Sequence, residues 1–522
     1  MGKKTVITFA IVGTLSCWMV TVSNGQNGQV SDPYSTHVPP AARSSTNHPS
    51  VFQASGPSFQ FSDQRVEATT QSLQGTQPNG QEISREQVIP NGQGFQNSQG
   101  DQTAQLKPHD DQGPGLTSSV EDPVHNLRQT RITREQAKTP GDALFSTSPL
   151  TPLRERFIAH EKRIYEERNL KFGTNVNTLF QGLTDNIPGT DDFGMASFLQ
   201  FNSTWDGFRK GCPNQGELTL GLEGRWNWGT TDPTTLGAVG LGSQTFTSNP
   251  FTTYTPTFLV RNLFWRQGSR EAGWMYRIGR VTPDQFLSTS QHVTPLTINH
   301  SIAGTGAFSM GLPDSGMGAF AGLFINDRVN IAGVVSDANA DRTKFGQIQE
   351  GDLFTAVELQ AKILPFTKHA GYSKLTFWNN DGTKFGDAIN GSTGNDGWGW
   401  FIKGEQELSR DGRIIGLLRY GKSYRDSALY EKLAAGHFLV YDPFRAGRYQ
   451  RRGFNADLAG LVYSWAQPSG LDRDESNFEF FYRFALFPQM QATLSYQAIV
   501  NPAADPANDF GSAFNFRLRS TW

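Results

Sequence analysis

From Lys171 to Trp522 the sequence breaks into segments of roughly ten residues in which apolar and polar side chains alternate, separated by clusters of Gly, Asn, Asp and Pro. A two-residue period suits a strand with one apolar and one polar face and does not suit a helix. The last three segments are the clearest. Phe478, Phe480, Tyr482, Phe484 and Leu486 share one face, opposite Glu479 and Arg483. Met490, Ala492, Leu494, Tyr496, Ala498 and Val500 alternate with Gln491, Thr493, Ser495 and Gln497. Phe514, Phe516, Leu518 and Trp522 alternate with Asn515, Arg517, Arg519 and Thr521. The short Phe487-Pro488 link and the longer stretch from Asn501 to Phe510 predict a tight turn on one side and a loop on the other, the habit of a barrel.

Composition narrows the choice. Hydrophobic residues make up 36% and mean hydropathy is −0.47, yet there are 38 Phe, 13 Tyr, 11 Trp and 55 Gly. After the N-terminus no stretch reaches the 18 or so apolar residues of a transmembrane helix. A membrane barrel needs no such stretch, because half of each strand faces a polar lumen. A soluble sandwich or propeller would also fit these figures. Three features favour lipid outside. Trp226, Trp228, Trp398, Trp400, Tyr496 and Trp522 fall near strand ends, as interfacial girdles do. The opposite face is rich in Arg, Glu, Lys and Gln, and the final segment runs to an aromatic residue. The expected fold is an all-β transmembrane antiparallel barrel of about 16 strands, since single-chain bacterial barrels have even strand numbers.

Outside the barrel, taken as 171–522, three further regions are expected. Residues 1–25 read as a cleaved secretory signal, with Lys3 and Lys4 before an apolar stretch and Ser23-Asn24-Gly25 before Gln26. Residues 26–148 are dominated by Gln, Ser, Asn, Gly, Pro and Thr, too polar to build a core, and read as a disordered tract acting as tether or spacer. Residues 149–170 read as an amphipathic helix, with Thr151 able to cap it, Pro152 in its first turn, and Leu153, Phe157, Ile164 and Tyr165 near one face. It would plug the barrel, pack beneath it, mediate assembly or serve as a solvated linker. Cys212 sits in a Gly211-Cys212-Pro213-Asn214 turn.

Parity along the strands selects the side chains of a polar lumen: Glu223, Arg225, Arg277, Glu358, Lys362, Lys403, Glu405, Arg419, Glu479, Arg483, Arg517 and Arg519. Arg261 and Trp265 join them from a segment of less regular alternation, and an Arg beside a Trp would suit a sugar. The plainer role for each is a solvated wall or a cross-strand ion pair. A net charge of −2 removes any bulk attraction to nucleic acid.

Motifs for other chemistry are weak. No Gly-x-Ser-x-Gly elbow occurs, and an extended backbone would put adjacent His300 and Ser301 on opposite faces. The run Gly416 to Ser423 matches the phosphate-loop spacing, but its interior is bulky and reads as a strand entering a turn. Asn379-Asn380-Asp381-Gly382 reads as a turn, lacking the closing Glu of a calcium loop. No catalytic residue, metal or cofactor is expected.

The C-terminal stretches Phe478-Glu479-Phe480-Phe481-Tyr482-Arg483, Leu486-Phe487-Pro488 and Tyr496-Gln497-Ala498-Ile499-Val500-Asn501-Pro502 resemble the OprB-type carbohydrate-selective porin family. Met275-Tyr276-Arg277-Ile278-Gly279-Arg280 and Gly397-Trp398-Gly399-Trp400-Phe401 are similar to two of its upstream strands. The resemblance spans 151–522; the 26–148 tract departs from it, and Val281 to Phe286 match only loosely. It implies a bacterial outer-membrane barrel that admits mono- or oligosaccharides by facilitated diffusion. The partners are then transported sugars, outer-membrane lipid and the barrel assembly machinery, with a monomer or a homotrimer both open. A general diffusion porin and a structural or adhesive barrel are the alternatives.

Overall fold

The computed structural model describes residues 143–145, 148, 150–246, 251, 258–290, 292–293, 300–326, 328–341, 343, 345, 351–362, 371–382, 395–409, 412–444 and 457–522. Residues 103–522 cluster as one compact unit. The other unit, 1–102, lies outside the described residues, as do the expected leader and most of the 26–148 tract.

Sixteen antiparallel strands close into one barrel. They are β1 Leu170–Leu183, β2 Phe193–Phe208, β3 Gly216–Asn227, β4 Phe258–Ser269, β5 Trp274–Val281, β6 Gly316–Phe324, β7 Val329–Asp337 and β8 Leu353–Ala361, then β9 Gly371–Asn380, β10 Gly397–Glu407, β11 Ile414–Ser423, β12 Tyr430–Tyr441, β13 Leu458–Pro468, β14 Glu475–Phe487, β15 Met490–Val500 and β16 Phe510–Thr521. Each pairs with its sequence neighbours, and β16 returns to β1 with Arg517 opposite Leu179 and Arg519 opposite Asn177. The expected barrel and strand number therefore hold. The phosphate-loop lookalike lies along β11, as its bulky interior required.

Alternating side chains sort cleanly onto two faces. On β14, Glu479, Phe481 and Arg483 point in and are buried, while Phe478 and Phe480 point out and are exposed. The outer wall carries a continuous band of exposed apolar groups, including Phe514 at 61% and Leu323 at 60%. In water such a band would be a severe aggregation liability; against acyl chains it is the stable arrangement. Aromatic pairs mark the band's margins: Trp226 against Trp228, and Trp398 stacked on Tyr424 at 4.2 Å.

One bulge overrides sequence parity. Between β3 and β4 the register slips, so that Gly221 faces Asn262 and Leu222 faces Val260. The extra residue at Arg261 lets both Arg261 and Asn262 turn inward. Trp265 is thereby carried to the outer face, opposite Leu218 and Ile278, which are both exposed. The expectation that Trp265 lines the lumen beside Arg261 is corrected on that ground. Lys362 sits at the rim and not within a strand. It lies just past the end of β8, where its N–H donates to the Arg328 carbonyl at 2.7 Å.

A helix α1, Thr151–Arg168, precedes β1. Pro152 occupies its first turn, and Asn169 ends it in a left-handed conformation at φ 56°. Thr151 is not its cap: it is the first helical residue, and its hydroxyl accepts a hydrogen bond from the upstream Ser148 N–H at 3.1 Å. No residue of α1 is fully buried, so it does not plug the barrel. Phe157 packs edge-on against Phe172 of β1, and Tyr165 donates to Asp206 of β2, whereas Leu153 is 58% exposed. Upstream, the N–H groups of Leu144 and Phe145 donate to the carbonyls of Ala485 and Leu486. Pairing of β13 with β14 stops at Leu458 and Arg483, so these two residues cover an otherwise bare edge of β14.

The short links 209–215, 270–273, 325–328 and 488–489 lie at the end that carries α1 and Trp522. The two longest connections, 228–257 and 282–315, leave from the other end, and their described parts fold into the barrel. The largest apolar core lies inside, where Phe286, Leu287, Ile302, Met310 and Leu312 pack on Phe264, Phe320, Phe354 and Phe401 of the wall. Gly421 of β11 faces this core. A Cβ there would run into Ser309 and Phe401, so the absence of a side chain admits the connection.

A charge on the outer wall tests the lipid assignment. Phe480→Arg is expected to lower stability in bilayers by about 2–4 kcal/mol. Urea titrations of the refolded protein in lipid vesicles would measure it, and an unchanged stability would refute a lipid-facing position.

Candidate functional site in the barrel lumen

The inward side chains form three groups, each made by a few neighbouring strands. The first lies on β3 to β5. Arg225 pairs with Glu223 at 2.5 Å, two residues apart on one face of β3. Arg261, turned in by its bulge, reaches Asp314 at 3.0 Å, Asp284 at 3.5 Å and Glu223 at 3.7 Å. Two of these carboxylates, Asp284 and Asp314, come from the connection between β5 and β6. Asp284 stands out because its side chain remains 47% open to solvent. Its partial enclosure pushes its pKa above the usual carboxylate value, opposed by the nearby Arg261 charge. Arg277 is fully buried, its guanidinium lying 4.7 Å from the Phe286 ring and within 6 Å of Phe264 and Phe320.

The second group, on β8 to β11, is an alternating ladder. Glu358 pairs with Lys374 at 3.1 Å and accepts from Thr376. Glu405 accepts from Tyr372 at 2.9 Å and lies 3.5 Å from Lys403. Much of this ladder holds the connection 282–315. The Ser288 N–H donates to Glu358 at 2.6 Å, Ser290 Oγ donates to Glu405 at 2.6 Å, and Lys403 donates to the Thr289 carbonyl. Arg419 donates to the Gly306 carbonyl at 3.0 Å.

The third group spans β14 to β16 and β1. Glu479 accepts the backbone N–H groups of His300 and Ser301, both at 2.9 Å. The His300 ring lies 3.1 Å from the same carboxylate, and its burial pulls the imidazole pKa below the ordinary value. His300 and Ser301 therefore serve as attachment points and make no hydrolytic dyad. Arg483 and Arg517 flank Thr493 in register, and Arg519 reaches Asn175 at 3.2 Å.

Twelve of the fourteen expected side chains thus lie on the inner face of a strand, Lys362 lies just past the end of β8, and Trp265 lies on the outer face. Parity could not show that many of them grip inward connections. Glu475, Asp284, Asp314, Lys374, Tyr372 and Thr245 belong to the same networks and were missed. The signal was present in the connections themselves: 228–257 carries only Asp232 as a charge, and 282–315 only Asp284 and Asp314 besides two histidines. Long loops so poor in charge are better suited to an interior than to open water. Cys212 is exposed in its turn, and no group of metal-ligating residues occurs among the described residues.

No family model matches the chain, and no curated protein matches it. Among solved structures it is similar to Pseudomonas putida OprB. The high-pH structure superposes with a TM-score of 0.55 at 11% identity, covering 70% of this chain and 97% of that one. The low-pH structure gives 0.43 at 10% identity, covering 70% and 96%. A mutant of the Rh. blastica porin gives 0.42 at 10% identity, covering 68% and 100%. The structural neighbours are porins, and the shared feature is the fold.

The Arg261 cluster makes a defined prediction. Arg261→Met removes the cation between Asp314 and Glu223, leaving buried charge uncompensated. The expected loss is about 3–5 kcal/mol of unfolding free energy. Denaturant titration against an Arg261→Met/Asp314→Leu double variant, expected to recover part of that loss, provides the check.

Proposed function

We propose that the protein is an outer-membrane porin through which sugars diffuse down their gradient, and that it is not an enzyme. The observation that carries the reading is a closed barrel whose outer wall is apolar and whose inner wall is built from charged and amide side chains. Such an inner wall lets a hydroxylated solute exchange water hydrogen bonds for protein ones. The sequence resemblance of the last strands to carbohydrate-selective porins supports sugar as the solute. Arg483 and Arg519 are the proposed solute contacts, with Asp284 as the acidic counterpart, while the ion-paired Arg225 and Arg261 and the fully buried Arg517 hold the wall around them. Most of the charge in the first group is paired within the wall, which favours neutral polar solutes over ions.

The proposed location is the bacterial outer membrane, reached after cleavage of residues 1–25, with 26–148 as a spacer at the end that carries α1. A narrow or blocked structural barrel is the second reading, favoured by the apolar core between wall and inward connection.

Single-channel recording in planar bilayers separates these readings. Addition of maltose or glucose is expected to reduce the current in a concentration-dependent way. Absence of any channel favours the structural barrel, and a channel indifferent to sugars leaves a general porin. Arg483→Ala and Arg519→Ala are expected to weaken sugar block about tenfold while leaving a conducting channel.

Asp284 adds a pH dependence to the same recording. Its raised pKa means that its negative charge is lost, as pH falls, earlier than from an ordinary carboxylate. Ion selectivity should therefore shift toward anions as pH falls, beginning at a higher pH than an ordinary carboxylate would set. Asp284→Asn should show the acid-side selectivity at every pH, and a variant that titrates like wild type would remove Asp284 from the conducting path.

A further inference from the structure

The two inward connections cross to a strand that adjoins neither. They join β3 to β4 and β5 to β6, yet both reach β14. Glu475 of β14 takes the first. Its carboxylate accepts the Ser243 hydroxyl, the Gln244 N–H at 2.9 Å, the Thr245 N–H at 3.0 Å and the Thr245 hydroxyl. Glu479, four residues further along the same face, takes the second through His300 and Ser301, and also accepts from Gln497. Both carboxylates are fully buried.

The connections are joined where they meet. The Thr245 carbonyl accepts the Ser301 hydroxyl at 2.9 Å, the Ile302 N–H at 3.2 Å and the Asn477 amide at 3.2 Å. An unbroken chain of hydrogen bonds therefore runs from Glu475 through Thr245 and Ser301 to Glu479. Backbone N–H groups of Gln244, Thr245, His300 and Ser301 donate to the two carboxylates, so the sites recognise the path of the connections as well as their side chains. Removing either acceptor leaves several buried N–H groups without a partner, which favours withdrawal of the segment into water.

We propose that Glu475 and Glu479 are positioning residues that hold both inward connections across the lumen as a single unit, so that the open cross-section of the channel is set from β14. This rests on the channel reading above, and it assigns a different task to Glu479 from solute contact.

The test uses the full-length protein in planar bilayers. Glu479→Ala and Glu475→Ala are each expected to raise single-channel conductance about twofold and to add open-channel noise. Glu479→Gln, which keeps one acceptor oxygen, should fall between Glu479→Ala and wild type. The double variant should match the single ones, because loosening one segment at β14 also loosens the other through the Thr245–Ser301 link. Heat-modifiable migration of each variant reports whether the barrel itself has formed. Wild-type conductance, or less, in variants with intact barrels overturns the inference while leaving the porin reading in place. Fully additive increases overturn the single unit. If the wild type forms no channel the porin reading fails, and protease cleavage within 228–257 and 282–315 then decides whether the two glutamates hold these segments. Cleavage no faster in Glu479→Ala than in wild type overturns that role as well.

Discussion

Everything in this molecule depends on the pairing of β1 with β16. A bilayer core offers no water to unpaired N–H and C=O groups, so a sheet can cross it only when no edge is left. Nine residue pairs, from Asn175 with Thr521 to Leu183 with Ala513, complete the ring. Once the ring is closed, every strand has one face toward lipid and one toward the lumen, and the sequence must satisfy both solvents in alternation. The aromatic-rich outer wall and the arginine-rich inner wall are two consequences of the same closure.

The lumen then presents a second problem. A polar inner wall is stable when wet, yet here most of its charged groups are buried. They are accommodated by partners: Glu223 with Arg225, Glu358 with Lys374, and the wall glutamates with backbone N–H groups of the inward connections. Interior space is also shared with a true apolar core, unusual for a surface that alternation marks as polar. Phe264, Phe320, Phe354 and Phe401 sit at inward positions and receive the apolar residues of 282–315. The wall is thus polar where it meets water or backbone and apolar where it meets the connection.

The strands were legible in the sequence because a period of two is enforced by the bilayer on one side and by polar groups on the other. Phe478, Phe480 and Phe484 could not all face inward without exposing Glu479 and Arg483 to lipid. The inward loops were not legible by the same means, since their destinations depend on residues more than a hundred positions away, as with His300 and Glu479. Trp265 failed for a local reason. A single bulge reverses parity, and the less regular alternation around Arg261 marks the segment without giving the position of the extra residue. The helix was found, but its cap was misplaced, because Ser148 and Thr151 bond to each other's backbone neighbourhood ahead of the first turn.

The cover that Leu144 and Phe145 place on β14 has a bearing on the order of assembly. It joins positions at opposite ends of the barrel sequence, so its formation carries a large loop-closure cost and must await the C-terminal strands. During synthesis the segment emerges early and has nothing to bind. Only a chain whose β14 has already been laid down can receive it. Its docking therefore falls among the last steps of folding, and a nascent barrel would keep its N-terminal arm free until the ring is nearly whole.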